Sequence, residues 1–144
     1  MGEIILVRGL PGSGKSTMAK KIVAAKKDFV HLETDMFFEK NGIYEYDSAK
    51  IKEAHDWCVS SAKNALEEGK SVVVSNTFIK IWEMKRYIDF GFPFKILEMK
   101  GNWRSIHDIS QEKIEMMKIK WEMLPRDWIN NQIGNEWDFA DKVG

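Results

Sequence analysis

Residues 4–17 read IILVRGLPGSGKST, an apolar run that passes directly into a glycine-rich segment ending in a lysine and two hydroxyl residues. The apolar run at residues 4–7 is rich in β-branched side chains, which is typical of a buried strand. After the glycine-rich segment, apolar residues recur at helical spacing at Met18, Ala19, Ile22 and Val23. The sequence therefore predicts a strand, a glycine-rich turn and a helix in direct succession.

The glycine-rich segment matches the spacing G-x-x-x-x-G-K-[ST], with Gly9, Gly14, Lys15 and Ser16 on the fixed positions. Glycines let the backbone close around a phosphate with its N–H groups pointing inward, and the helix start adds further unpaired N–H groups. Lys15 is expected to reach the β- and γ-phosphates of ATP, and the Ser16 hydroxyl to hold Mg²⁺. The alternative is an ordinary strand–turn–helix corner. The predicted nucleotide-binding residues are Gly9, Leu10, Pro11, Gly12, Ser13, Gly14, Lys15, Ser16 and Thr17.

Composition limits the class of protein. With 144 residues the chain is long enough for one domain with a real core but not for two, so we expect a single domain over residues 1–144. Lysine plus arginine equal aspartate plus glutamate at 22 each, so net charge gives no general attraction for nucleic acid. A single cysteine, Cys58, excludes an internal disulfide, and no apolar run reaches membrane-spanning length. We expect a cytoplasmic protein with no membrane contact and no obligate protein partner.

Strand and helix patterns alternate along the rest of the chain. Further strands are predicted at residues 29–33, 72–74 and 94–99. Further helices are predicted at about residues 48–68, 79–90 and 110–124. In the last of these helices Ile114, Met117 and Trp121 are expected to face the core. The alternation predicts an α/β fold with a four- or five-stranded parallel sheet and helices on both faces.

In such a sheet, ligands gather beyond the carboxyl ends of the strands. Asp35 follows the second predicted strand and is our candidate for the group that accepts a hydroxyl proton during phosphoryl transfer. Its alternative role is to cap a helical turn that starts at Met36. Asn76 and Thr77 follow the third strand and are expected either to contact the substrate or to cap a turn.

Beyond the fourth strand, Arg104 lies in a short segment at about residues 101–110 that we interpret as a lid. There it would bring positive charge to the transferring phosphoryl group, and the alternative is a solvated surface arginine. Phe37, Phe38 and Trp82 are candidates to stack a base, with core packing as the alternative. The candidate catalytic residues are Lys15, Asp35 and Arg104. The candidate substrate-binding residues are Asp35, Phe38, Asn76, Thr77 and Trp82.

Taken together, RGLPGSGKST, ETDMFF, AHDWC, VVVSNTF followed by WEM and Tyr87, and SIHDISQEKIEMMKIKWE resemble the small polynucleotide-kinase-like P-loop kinases. Such proteins are frequent in phage and bacterial genomes as AAA-family ATP-binding proteins, and the resemblance covers residues 3–124. It implies the kinase fold with a four-stranded parallel core, together with ATP and Mg²⁺. It also implies that Asp35 matches the family's general base and that Arg104 falls near the lid arginine of the true polynucleotide 5′-kinases.

The sequence departs from those true kinases at three points. Phe37 and Phe38 stand where an arginine follows the catalytic aspartate, Asn76 stands where an acidic residue follows the third strand, and the lid is shorter. Because Ser75 and Asn76 carry no carboxylate, we expect Mg²⁺ to rely on Ser16, phosphates and water, with Ser75 behind them. The departures concern the acceptor and the metal rather than the nucleotide donor.

The leading hypothesis is an ATP-dependent kinase that phosphorylates a hydroxyl of a nucleic-acid end, a nucleoside or a nucleotide. Zero net charge indicates that such an acceptor is engaged near its end, or is small. A second hypothesis keeps the kinase and gives it another small-molecule acceptor. A third is a nucleotide-gated switch with slow ATP hydrolysis, which the aromatic residues of the tail at residues 125–144 (Trp128, Trp137 and Phe139) would support.

Overall fold

The structure is a computed structural model that describes residues 2–100 and 110–133. Its strands are β1 (Ile4–Arg8), β2 (Phe29–Leu32), β3 (Glu39–Lys40), β4 (Ile43–Tyr44), β5 (Ser71–Asn76) and β6 (Phe94–Glu98). Its α-helices are α1 (Lys15–Ala25), α2 (Ile51–Glu67), α3 (Ile81–Ile88) and α4 (Gln111–Lys120). Short 3-10 helices cover Thr34–Phe38, Ser48–Lys50 and Arg126–Asn131. The predicted alternation of strands and helices is confirmed.

The main sheet has four parallel strands in the order β2-β5-β1-β6. Strand β1 lies between β5 and β6, with Ile4 paired to Val72 on one side and to Phe94 on the other. The central position of β1 brings the glycine-rich segment to the middle of the sheet's carboxyl edge. The α/β fold and the parallel sheet are therefore confirmed.

Apolar residues of β1 alternate between two cores, one on each face of the sheet. Ile4 and Leu6 pack with residues of α2 and α3, whereas Ile5 and Val7 pack with Met18, Ala19 and Ile22 of α1. All five residues of β1 are buried, which explains why this strand reads as a continuous apolar run. The helices thus cover both faces, as expected.

A second, two-stranded antiparallel sheet pairs β3 with β4, and we did not predict it. Asn41 and Gly42 form the two-residue turn, both with positive φ (55° and 80°). Asn-Gly between two short extended segments is a strong hairpin signal, because both central residues of a type I′ turn need positive φ. The hairpin places Tyr44 beside the carboxyl edge of the main sheet.

The last helix ends earlier than predicted. Helix α4 stops at Lys120, and Trp121 takes an extended ψ of 127°, so the helix does not continue to Pro125. The guanidinium of Arg8 lies 3.8 Å above the Trp121 ring and donates a hydrogen bond to the Glu122 carbonyl (3.0 Å), which draws the chain away from the helix axis. Ile114, Met117 and Trp121 are half-buried rather than part of the core.

The first part of the predicted tail packs against the edge of the main sheet. The Trp128 ring lies 6.2 Å from that of Phe94, and the N–H of Ile133 donates to the carbonyl of Ile96 (2.9 Å). Trp128 therefore contributes to the packing of this domain, while Trp137 and Phe139 lie outside the described residues. Over residues 2–100 and 110–133, no helix has the length and apolar character needed to cross a membrane.

Candidate active site

The segment between β1 and α1 forms a tight phosphate-loop turn. Gly14, with φ of 92°, is the residue at which the turn becomes α1, and a side chain there would be strained. Gly9 has no room for a Cβ, because that atom would collide with the Ser13 hydroxyl. The fixed glycines of the motif thus meet two separate requirements, one of conformation and one of close approach.

The loop forms one end of a cleft of about 820 Å³. The cleft is lined there by Pro11, Gly12, Gly14, Lys15, Ser16 and Thr17. The other predicted loop residues lie behind this wall: Ser13 is buried, and its N–H donates to the Leu10 carbonyl (3.0 Å). Gly9, Leu10 and Ser13 therefore shape the loop, while the remaining predicted residues face the cleft.

The loop and the helix start fit a nucleotide phosphate chain. Helix α1 presents its free N–H groups and the positive end of its dipole to the cleft, with the Lys15 side chain beside them. Burial lowers the pKa of the Lys15 ammonium, and the charges of Glu33 and Asp35 oppose that shift. Both carboxylates therefore lie close enough to Lys15 to interact with its charge.

A carboxylate that we had not assigned to the site lies beside Ser16. Glu33 follows β2, and its Oε1 accepts a hydrogen bond from the Ser75 hydroxyl (2.7 Å) and lies 3.1 Å from His31 Nε2. His31 Nε2 is also 2.8 Å from Ser75 Oγ, so the proton of the ring must be on Nε2. This carboxylate lies beside Ser16 and was not among the metal ligands that we expected, which were Ser16, phosphates and water. The rule that ligands gather at strand ends would have found Glu33, which precedes Asp35 by two positions.

The hydrogen bonds around Glu33 also set its ionisation. Burial would raise the pKa of this carboxyl, but hydrogen bonds from His31, Ser16 and Ser75 outweigh burial and lower it to about 2. Glu33 is therefore an anion at any pH near neutrality. A fixed carboxylate, a serine hydroxyl and a phosphate chain are the oxygen ligands that Mg²⁺ prefers.

This ionisation predicts an acid-sensitive contribution to stability. Because the folded pKa lies below the ordinary value, Glu33 stabilises the fold above about pH 4.5, and that contribution is lost as the pH falls towards 2. We expect the free energy of unfolding to fall by roughly 1–3 kcal/mol more in wild type than in Glu33→Gln over this window. Urea unfolding of the nucleotide-free protein at a series of pH values measures it. Glu39→Gln, an exposed hairpin residue, is the matched control, and parallel curves for wild type and Glu33→Gln would contradict the assignment.

Asp35 lies inside the 3-10 helix that follows β2, not at its N-cap, which is Glu33. The Thr34 N–H donates to Asn76 Oδ1 (2.9 Å), which fixes this helix against the end of β5. The Tyr44 hydroxyl reaches Asp35 Oδ1 at 3.4 Å. The capping alternative for Asp35 is not what the structure contains, and the Asn76 side chain holds the turn that carries Asp35.

Tyr44 is the second residue of the site that sequence reasoning missed. Burial, and then the negative charge of Asp35, raise the pKa of the Tyr44 phenol to about 12. Tyr44 therefore stays protonated at neutral pH and can donate to the Asp35 carboxylate. The Asn41–Gly42 hairpin signal would have placed Tyr44 in a strand, although not beside Asp35.

The other end of the cleft is aromatic and partly basic. It is lined by Tyr44, Tyr46, Ile51, His55, Trp82, Arg86, Lys113 and Met117. Asn76 and Thr77, at and just after the end of β5, also line the cleft. Trp82 is 60% exposed and faces open space, as a stacking residue requires. Arg86 donates to Asp56 Oδ1 (2.9 Å).

Phe38 is a correction to the predicted substrate-binding set. It is 3% exposed, and its ring packs edge-on against those of Phe37 and Tyr46, with centroids 5.5 and 5.2 Å apart. A ring enclosed in this way has no free face for a base, so the alternative of core packing holds for Phe38. The predicted lid and Arg104 lie outside the described residues.

A family model described as an AAA domain matches residues 4–115. The chain belongs to this family. The region matched begins with β1 and extends into α4, so it contains the phosphate loop, Glu33, Asp35 and the aromatic residues that line the cleft. The resemblance of the motifs to polynucleotide-kinase-like P-loop kinases is thereby confirmed.

Two relatives and one solved structure describe this AAA-domain chain further. It is 37% identical to human NEDD4-binding protein 2 over an alignment of 130 residues that covers 79% of this chain and 7% of that protein. It is 31% identical to the bifunctional polynucleotide phosphatase/kinase of Schizosaccharomyces pombe over 94 residues, 65% of this chain and 19% of that protein. The chain thus spans only a small part of these relatives.

The solved structure is a sugar kinase from Janibacter sp. HTCC2649, with a TM-score of 0.71. The superposition covers 99% of this chain and 90% of the kinase at 15% sequence identity. At that identity the likeness concerns the fold, which is that of a P-loop kinase.

Proposed function

We propose that this chain is an ATP-dependent phosphotransferase that moves the γ-phosphoryl group to a hydroxyl. The observation that carries the proposal is one cleft that contains both Lys15 of the phosphate loop and the Asp35 carboxylate. The charge of Asp35 acts on Lys15, so an acceptor hydroxyl at Asp35 would lie close to phosphates at Lys15. A donor site and a proton acceptor in one cleft are what in-line phosphoryl transfer needs.

The residues would divide the work as follows. Lys15 and the N–H groups of the loop bind the β- and γ-phosphates and offset their charge. Asp35 takes the proton of the acceptor hydroxyl while the oxygen of that hydroxyl forms a bond to the γ-phosphorus. The bond between the γ-phosphorus and the bridging oxygen breaks, and ADP leaves. Tyr44 orients Asp35, and Mg²⁺, when bound, would spread the negative charge of the phosphates.

The acceptor that we propose is a hydroxyl of a nucleic-acid end, a nucleoside or a nucleotide. Trp82, Tyr44 and Tyr46 give the acceptor end of the cleft aromatic surfaces of the kind that stack bases. The cleft volume of about 820 Å³ lies within the range of small-molecule sites. One relative is named as a polynucleotide phosphatase/kinase, and this supports the same class of acceptor.

The alternative acceptor is another small-molecule hydroxyl. Its support is the polar part of the acceptor end, where His55 and Arg86 line the cleft. The switch hypothesis loses the contribution of Trp128, because that ring packs on Phe94.

The acceptor class is tested by offering γ-labelled ATP with a panel of acceptors. The panel contains 5′-hydroxyl oligonucleotides of one to six residues, nucleosides, nucleotides and sugars, each at several concentrations. We expect label on a member of the panel that carries a base. Because net charge is zero, we expect the KM of the oligonucleotides to decrease no further beyond about two nucleotides. Label on sugars alone would establish the alternative, and label on no acceptor, with ATP bound, would contradict the kinase assignment.

Trp82 gives a prediction about acceptor binding that does not depend on phosphoryl transfer. If its exposed ring stacks a base, Trp82→Ala should weaken acceptor binding by about 1–3 kcal/mol, whereas Trp82→Phe should lose only part of that. Equilibrium titration of an acceptor in the presence of ADP measures this. Ile119→Ala, an exposed apolar residue outside the cleft, is the control. Equal binding by wild type and Trp82→Ala would exclude stacking.

A further inference from the structure

The phosphate end of the cleft contains a fixed negative charge that the transfer chemistry does not require. The Glu33 side chain is 17% exposed, faces the cleft, and is held by Ser75 and His31. A polyphosphate bound at Lys15 would be repelled by this carboxylate unless a cation lay between them. The positive charge of Lys15 already interacts with the negative charges of Glu33 and Asp35. Binding a nucleotide with several negative charges at the same place therefore needs a further cation.

Strand β5, which neighbours β1, supplies no carboxylate at this place. Its last residues are Ser75 and Asn76, and the Asn76 side-chain oxygen accepts the Thr34 N–H. Glu33 comes from the next strand, β2, and reaches over the end of β5 to the Ser75 hydroxyl at 2.7 Å. The carboxylate beside the phosphate loop therefore belongs to the segment after β2, which is one strand further from β1 than β5, and not to the uncharged end of β5.

We propose that Glu33 supplies the protein carboxylate of the Mg²⁺–nucleotide site, with the Ser16 hydroxyl as the other protein ligand. The Ser16 hydroxyl hydrogen-bonds the Glu33 carboxylate, so the two proposed ligands are adjacent. Ser75 and His31 both bond to Oε1 of that carboxylate. Their role is to position the carboxylate, as hydrogen-bonding partners commonly do behind metal ligands. The inference rests on the proposed nucleotide site, but not on the identity of the acceptor.

The small number of protein ligands has a consequence for binding order. Among the described residues, no group of three or more histidine, cysteine, aspartate or glutamate side chains is arranged to hold a metal ion. Mg²⁺ in proteins is usually held by one or two carboxylates together with substrate phosphates and water. The metal is therefore expected to bind with the nucleotide and only weakly without it.

The test uses Mn²⁺ as the paramagnetic probe and the β,γ-imido analogue of ATP, which is not hydrolysed. Free Mn²⁺ is counted by electron paramagnetic resonance, and nucleotide affinity is measured separately in EDTA. Glu33→Gln keeps the shape of the side chain and removes its charge. We expect it to weaken Mn²⁺ binding to the protein–nucleotide complex by roughly 10–100-fold, while metal-free nucleotide affinity stays equal or rises.

Two further variants make the result decisive. Ser75→Ala keeps Glu33 but removes the hydrogen bond to Oε1, so it should weaken Mn²⁺ binding severalfold, which also covers the case in which Glu33→Gln does not fold. Glu39→Gln, an exposed glutamate outside the cleft, should leave it unchanged. Unchanged Mn²⁺ affinity in Glu33→Gln would overturn the proposal. An equal loss of nucleotide affinity with and without metal would also overturn it. Normal metal binding by a wild-type protein that transfers no phosphoryl group would leave it standing and overturn the proposed function instead.

Discussion

Replacement of Asp35 by asparagine is expected to lower kcat by roughly 10²–10⁴ while ATP affinity changes little. The amide cannot take the proton of the acceptor hydroxyl, but it keeps the shape of the side chain and an oxygen for the Tyr44 hydroxyl, 3.4 Å away in the wild type. The phosphate loop lies on another element, and removal of a negative charge near Lys15 should not weaken ATP binding. Steady-state kinetics with the best acceptor of the panel and equilibrium binding of ATP measure the two effects.

Asp89 provides the matched control for this substitution. It is exposed at the end of α3, forms an ion pair with Lys85 and lies outside the cleft, so Asp89→Asn should keep wild-type kcat. An equal loss of ATP binding and turnover in Asp35→Asn would indicate a folding role. Unchanged turnover would remove Asp35 from the chemistry.

Replacement of Arg8 by methionine is expected to lower the free energy of unfolding by about 3–5 kcal/mol. Arg8 ends β1 and is completely buried, and its guanidinium donates to the Phe78 carbonyl (2.7 and 3.2 Å) and to Glu98 Oε2 (3.1 Å). Methionine would leave the Glu98 carboxylate without its cation and Phe78, with φ of 51°, without the hydrogen bonds that hold this strained turn. Urea denaturation measures the change.

Two variants separate burial from charge at this position. Arg8→Lys keeps the charge but loses the planar fork that bonds several carbonyls at once, so it should recover only part of the loss. Arg126→Met, an exposed arginine, should change stability by less than about 0.5 kcal/mol. A loss below about 1 kcal/mol in Arg8→Met would show that the network around the guanidinium contributes little to folding.

The nucleotide end of the site follows closely from the sequence, because its geometry is local. Gly14 and Gly9 are required by the backbone of one turn, and the apolar run of β1 is required by burial on both faces. Spacing along the chain reports both requirements directly. The parallel sheet follows from the same alternation of elements.

The rest of the site depends on contacts between distant segments, which spacing does not report. Glu33 acquires its role from Ser75, 42 positions later, and Arg8 from Glu122, 114 positions later. Phe38 looked like a stacking residue because its position follows a strand end, but the hairpin carrying Tyr44 and Tyr46 closes over its ring. The early end of α4 also depends on a distant contact, because the Arg8 guanidinium stacks on the Trp121 ring and donates a hydrogen bond to the Glu122 carbonyl.

The fate of the label from ATP tests the proposed phosphoryl transfer most directly. Parallel reactions with γ-labelled and α-labelled ATP, with the acceptor panel, are run for wild type, for Lys15→Ala, and for Lys21→Ala as an exposed control on the same helix. We predict that the acceptor takes label from the γ position alone, that Lys15→Ala loses most of this transfer, and that Lys21→Ala keeps it. Label from the α position, or transfer by Lys15→Ala at the wild-type rate, would contradict phosphoryl transfer at the phosphate loop.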